Sequence, residues 1–324
     1  MSDKKTAVAV LASNSAQGPT AGRRAVVCFV EDRPGLVQQA LWLRRSWVFA
    51  ASADTDLVMF GPPDALDQLP DDVVKIVQRP VADEPQWQDY RFVNSLACLN
   101  AAGSDALDRY SHLLRTDVDT FLTPAWNEFR PLGFTCGHGG YSNTDIVRRR
   151  IEAISAGRGL TYPGLRNVGS TWYGPTKLVR EASALAETLT LHILKEHFAS
   201  GPGVWPCWYR GVASMYAGEI AVNHCAPEAI KTDLLDVPST SPLPIEHVPH
   251  IHCWHTSEKF SKFVFADCGY TVADFVGLDR RLVPDYCLAT AQLSLADRFH
   301  AKRGWRGGRG YVGVRKSKER KVSF

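Results

Sequence analysis

The chain has 324 residues, 45% of them hydrophobic and 22% charged, with a formal net charge of +3. That length and mix suit one large or two medium globular domains with a substantial core, and they exclude a collagen, a coiled coil, a disulfide-stapled mini-protein and a wholly disordered chain. The longest clean apolar runs, Ala7–Ala12 and Ala25–Val30, hold about six residues against the roughly 20 of a membrane-crossing helix, so no membrane span is expected.

Lys4 and Lys5 make a basic start, but the apolar run behind them is short and gives way to polar Ser13–Thr20, so no secretory signal is read. The eight cysteines are scattered, and no two form a C-x-x-C pair. Reduced thiols and a cytoplasmic location are the expectation. The charge is uneven. Residues 298–324 hold ten Lys+Arg against one acid, Glu319, a balance of +9, which leaves the body at −6.

Residues 1–24 are small, polar and Gly/Pro-punctuated and read as disordered. Ala25–Val30 is a short β-branched apolar run, expected as a buried strand. Pro34-Gly35 opens a helix over Leu36–Trp47, and Leu57–Phe60 reads as a second strand, stopped by Gly61-Pro62-Pro63. A short helix over Asp64–Leu69 and a third strand over Val73–Val77 follow, then a helix over Tyr90–Ala102 and a fourth strand over Tyr110–Thr116. This alternation predicts an α/β fold with an open, mostly parallel, Rossmann-like sheet flanked by helices. Ligands bind at the carboxyl ends of strands in such sheets.

The second half is less regular. Pro175–Phe198 has the strongest helical periodicity, with Leu178, Ala182, Leu185, Leu189 and Ile193 on one face. Gly137–Asn143 and Gly169–Pro175 read as loops lining a pocket, and residues 237–249 as a proline-rich loop. Residues 25–297 form one domain, with a first half at 25–125 and a second at 126–297, and 298–324 is a basic tail.

Asp117 and Asp119 stand at the carboxyl end of the fourth expected strand. Period-2 geometry puts both carboxylates on one face, about 6–7 Å apart at Cα. They repel each other unless a proton or cation lies between them, and a hard divalent ion with oxygen ligands, Mn²⁺ or Mg²⁺, satisfies both. A second D-x-D, Asp54-Thr55-Asp56, precedes a strand and reads as structural.

The block Leu113–Leu122 (LLRTDVDTFL), ending the fourth strand of the first half, resembles the metal-binding D-x-D segment of GT-A-type glycosyltransferases. The resemblance covers the layout of residues 25–125 well and the remainder loosely. It implies a GT-A-like fold with a nucleotide-binding first half and an acceptor-side second half. It also implies Mn²⁺- or Mg²⁺-dependent transfer of a hexosyl or pentosyl group from a nucleotide-sugar, with UDP the commonest carrier, to a carbohydrate or glycoconjugate. In that pattern Asp117 reaches the ribose or a metal-bound water and Asp119 ligates the metal. Tyr90, Arg91 and Asn94 face the nucleotide. A third metal ligand, often a histidine from the second half, is one of His250, His252 and His255, with His252 and His255 favoured.

Glu219, in the apolar stretch Ala213–Val222, is a candidate general base, because an acid there is costly to bury without a partner or a task. Asp145 competes for that role. No G-x-x-x-x-G-K-[ST] is present, and Glu31-Asp32-Arg33-Pro34-Gly35 replaces a G-x-G-x-x-G after the first strand, so neither a P-loop enzyme nor a dinucleotide dehydrogenase is indicated. Two other readings stay open: a sugar nucleotidyltransferase on a similar sheet, and an RNA-associated protein acting through the Arg/Gly and aromatic tail around Arg303–Tyr311.

Overall fold

The computed structural model describes residues 22–297. The expectations for residues 1–21 and for the basic tail lie outside the described residues. Ten strands and eight α-helices follow in chain order: β1 (Arg24–Phe29), α1 (Pro34–Ala50), β2 (Thr55–Gly61), α2 (Pro63–Leu66), β3 (Val74–Val77), α3 (Asn94–Ala97), β4 (His112–Arg115), β5 (Thr120–Leu122) and β6 (Thr135–His138). Then come α4 (Asp145–Gly157), β7 (Val168–Pro175), α5 (Thr176–His197), α6 (Ala213–Cys225), β8 (Ile230–Lys231), β9 (Val237–Pro238), β10 (His250–His252), α7 (Lys262–Ala266) and α8 (Val283–Ser294).

Seven strands form the main sheet in the order β3-β2-β1-β4-β7-β6-β8. β3, β2, β1 and β4 are parallel, as the alternation of the first half implies. β7 runs antiparallel to both β4 and β6. The sheet is therefore mixed, which corrects the mostly parallel expectation. Local periodicity marks a strand but not its direction, and β7 enters the sheet from the second half. The segment Gly169–Pro175, expected as a loop, is most of this strand and is buried up to Gly174. A strand covered on both faces shows no polar alternation to betray it. Nor is residues 1–24 an accurate boundary, since Arg24 opens β1 and is 2% exposed.

β1 shows why the sheet is sandwiched. Ala25, Val27 and Phe29 point to one face, packed with residues of α3, α5 and α6. Val26, Cys28 and Val30 point to the other, packed with α1 and Trp126. Buried Arg24 at the strand's start lies over the Trp126 ring at 4.4 Å and donates to Phe129 O at 2.8 Å. α1 starts at Pro34, whose ring pre-sets the helical φ. Its Trp42 is buried among Phe121, Phe260 and Phe265, with centroids 5.1–5.9 Å away. Such pairs add about 0.5–1.5 kcal/mol each beyond area burial.

The helix expected over Tyr90–Ala102 shrinks to a 3₁₀ turn at Arg91–Val93 followed by α3. Phe92 is 62% exposed rather than facing the core, and Gly103 at φ +87° turns the chain back. Asp54 and Asp56 are structural, as read: Asp54 pairs with Arg24 and Arg130, and Asp56 with Arg23 and Arg109.

Past β4 the chain leaves the main sheet and forms a second, three-stranded one in the order β5-β10-β9. β10 pairs antiparallel with β5, so His252 stands opposite Thr120 and His250 opposite Leu122. Cys253 N donates to Asp119 O at 3.0 Å and extends the ladder to the D-x-D segment.

The absence of a side chain at Gly169 in β7 makes this junction possible. A Cβ there would lie 2.3 Å from Asp236 Oδ2 and 2.6 Å from the Gly137 carbonyl carbon. Gly169→Ala is expected to lower the unfolding free energy by about 1–3 kcal/mol, the usual cost of overpacking, as read by urea unfolding.

Candidate functional site

The site forms where β4 ends and, from the second sheet, β10 ends. Asp117, Asp119 and His252 each offer one ligand atom, all within 4.8 Å of one another. β4 places the two acids, and the β5–β10 pairing delivers the histidine from 133 positions further along the chain than Asp119. His252 Nε2 faces Asp119 Oδ1 at 3.4 Å. Its other ring nitrogen, Nδ1, lies 3.0 Å from Asp236 Oδ1. Asp236 in turn accepts from the Thr171 hydroxyl and, at 3.3 Å, from the Thr171 amide. A buried carboxylate on Nδ1 fixes the ring's orientation and aims Nε2 at the acids, the usual second partner of a metal-binding histidine.

Lys262 closes the fourth side, with Nζ donating to Asp119 Oδ2 at 2.5 Å. Burial alone would raise the Asp119 carboxyl pKa, but the charges and hydrogen bonds of His252 and Lys262 hold it well below the usual range. Burial would likewise lower His252, yet Asp119 and Asp236 on its two nitrogens push it well up. Burial also works against ionised Asp236, which its bond to His252 keeps low.

The three candidate histidines separate cleanly. His250 is fully buried in the fold: its Nδ1 accepts from Asp236 N at 3.2 Å and its Nε2 meets Thr116 Oγ1 at 3.0 Å. Burial lowers its pKa to about 4, so it is a neutral structural ring. His255 lines the cleft against the Phe263 ring at 5.2 Å but stays outside the three-ligand group. His252 alone joins the two acids.

Asp117, Asp119, Asp236, His252, His255 and Lys262 line one open cleft of about 1260 Å³. Tyr90, Arg91 and Asn94 line it too, so the expected nucleotide-facing residues and the expected metal ligands converge. Asn94 is pinned, its Oδ1 accepting from Ala82 N and its Nδ2 donating to Glu31 Oε1, each at 3.1 Å. The Tyr90 hydroxyl is held by Ser214, and burial pushes its pKa up to about 12. Arg91 is tied to Asp89 at 2.7 Å and Asp83 at 3.2 Å. Phe92, Trp205, Tyr209, Trp254 and Phe263 supply aromatic surface to the same cleft.

A family model described as "Domain of unknown function (DUF7164)" matches residues 19–280. The chain belongs to the DUF7164 family. The DUF7164 domain so delimited contains the whole main sheet, the Asp117–Asp119–His252 group and Lys262, and stops before α8. No curated protein matches the chain.

Two expected residues lie away from the DUF7164 cleft. Glu219, on α6, is fully buried and does not line it. Its Oε1 accepts from Tyr162 Oη at 2.5 Å and its Oε2 from Asn167 N at 2.6 Å. The carboxylate fastens the irregular segment between α4 and β7 to α6. Asp145 sits at the first position of α4 with an 81% exposed side chain, 3.6 Å from Arg148. Three further residues of the site were missed in the sequence, two of them without any signal. Asp236 and Lys262 fall in stretches without a pattern. Glu31 had a faint one, an acid directly after a buried strand.

Two outcomes follow from this geometry. A histidine pKa raised on folding gives stability that is complete below the ordinary value near 6.5 and fades as pH climbs through the folded value. The stability lost in His252→Gln, measured by chemical unfolding with chelator present, is therefore expected to be larger at pH 6 than at pH 9. Glu219→Ala strands Tyr162 and Asn167 at about 1–3 kcal/mol per orphaned donor. It should lower the melting temperature and leave divalent-ion affinity unchanged in calorimetry.

Proposed function

We propose that the protein is a metal-dependent glycosyltransferase that moves a sugar from a nucleoside-diphosphate sugar, UDP-linked in the first instance, to a carbohydrate or glycoconjugate. The observation that carries this reading is the convergence of Asp117, Asp119 and His252 in one cleft with Tyr90, Arg91 and Asn94. A D-x-D pair closing the fourth strand, joined by a histidine from the second half, is the arrangement that the resemblance to GT-A enzymes implies.

The donor set fits a divalent ion. Two carboxylates suit Mg²⁺ or Mn²⁺, and an imidazole nitrogen tilts the set toward Mn²⁺. Such an ion, when bound, supplies positive charge to a departing diphosphate. The chain's own groups do the rest. Asp236 holds His252 in the ligating orientation, and Asn94, fixed by Ala82 and Glu31, presents a rigid wall to the nucleotide. Aromatic faces at the rim, Trp205 and Trp254 among them, suit the apolar faces of sugar rings. The eight cysteines are free thiols, in keeping with a proposed place in the reducing cytoplasm. Among the described residues no helix is long and apolar enough to cross a membrane.

The alternatives find less support. A nucleotidyltransferase needs a basic, glycine-rich phosphate loop after β1. There the chain instead carries Glu31-Asp32-Arg33, two acids and one base, with Pro34 opening α1. The RNA reading rests on the tail alone.

Calorimetry with UDP and GDP, with Mn²⁺ and with chelator, tests the proposal. Nucleotide binding should require the ion, Asp119→Ala should abolish the requirement together with the binding, and Asp56→Ala should bind as the wild type does. Nucleotide affinity that ignores Mn²⁺ would defeat the reading.

A further inference from the structure

We propose that Lys262 couples the divalent ion to the donor's diphosphate: it gives up Asp119 to the ion and turns to the phosphate oxygens. This rests on the glycosyltransferase reading above and adds to it a donor-binding residue from the second half of the chain.

Lys262 opens α7, a helix too short to stand alone, but its base is firm. Phe260 and Ser261 just before it are 1% and 0% exposed, and Ser261 Oγ accepts from Val264 N. From that anchor the ammonium reaches into the cleft and donates to Asp119 Oδ2, while His252 Nε2 faces Oδ1. The carboxylate that heads the candidate metal group is thus already shared between two nitrogen groups. An ion held by Asp119 and His252 needs the same lone pairs, and an ammonium left beside a divalent cation is repelled by it. A lysine has a flexible four-carbon stem and three rotatable donors, so the head group can leave without moving the buried Phe260–Ser261 anchor.

Charge decides where it goes. Asp117, Asp119 and Asp236 all gather on the ion's side of the cleft, so the displaced ammonium needs a new anionic partner. A nucleoside diphosphate then brings the new negative charge, and a lysine is a strong point-charge partner for phosphate. The ion and the diphosphate thereby favour the same position of Lys262, and each aids the other's binding.

The coupling makes two effects of opposite sign, which a merely structural lysine does not produce. In calorimetry on the full chain, Lys262→Met should bind Mn²⁺ alone about tenfold more tightly, because the competing ammonium is gone. At saturating Mn²⁺ the same variant should bind UDP about tenfold more weakly and bind UMP, which lacks the second phosphate, as the wild type does. Lys262→Arg should keep most of the preference for UDP over UMP, and Lys262→Gln serves in place of the methionine variant should that one not fold. Weaker Mn²⁺ binding in the neutral variants, or an undiminished preference for UDP over UMP, overturns the proposal while leaving the enzyme reading intact. A wild type whose UDP binding ignores Mn²⁺ and is lost in Lys262→Met makes the lysine the site's permanent cation and removes both.

Discussion

A buried line of alternating charge organises this protein. Asp236, His252, Asp119 and Lys262 follow one another in contact, acid, base, acid, base, each within 2.5–3.4 Å of the next. Neither acid is tolerable alone at its depth. Asp119 and Asp236 are 7% and 3% exposed, and an isolated carboxylate there would give up its charge. In series, each meets the other's desolvation cost, which is why the acids titrate low and the histidine high despite burial. In the proposed reading this arrangement accepts a cation. His252 and Lys262 supply positive charge that can be withdrawn, one by loss of a proton and one by rotation of its side chain.

That line needs the two halves of the chain in register. Asp119 follows β4, in the parallel part of the main sheet. Asp236 lies just before β9 and is held by Thr171 on β7, the antiparallel strand. His252 arrives on β10 through pairing with β5. Five strands therefore meet at one point, and small residues permit it. Gly137 and Gly169 stand where a methyl group would displace Asp236. The second sheet is thin, but it spans three residues of β5 and sets which face of β10 looks at the acids. A slip of one residue would turn His252 away and present Ile251 or Cys253 instead.

The first half of the fold was legible because its elements obey simple periods. β1, α1, β2 and β3 each lie within a few residues of their expected spans, and Asp117/Asp119 was distinguishable from Asp54/Asp56 by its position after a strand rather than before one. Apart from α5, the second half was less legible, for identifiable reasons. β7 reads GSTWYG, a run of small and aromatic residues, because it is buried on both faces and must let Asp236 approach. α3 was overdrawn because Phe92 fits a helical stripe yet faces the cleft. Among the histidines, His250 and His252 lie two apart on β10 and both meet Asp236. Only the partners tell them apart: a backbone amide on His250 Nδ1, a carboxylate on His252 Nδ1.

Two buried acids show how far local sequence carries a functional argument. Glu219 and Asp236 are both almost fully hidden, and an acid in an apolar stretch invites a catalytic reading. Glu219 earned that attention because its surroundings, Ala213–Val222, are conspicuously apolar, whereas Asp236 drew none. The structure reverses their importance. Glu219 receives a phenol and an amide, groups that neutralise nothing, and burial leaves its pKa raised. Its job is to tie a loop to a helix. Asp236 faces a histidine whose far nitrogen points at two more acids, so its charge is transmitted to the cleft. What separates a structural acid from one that serves a site is thus the nature of the group it faces and where that group's other end points. Both depend on contacts between residues dozens of positions apart, such as Thr171 and Asp236 or Asp119 and Lys262, which no short window of sequence contains.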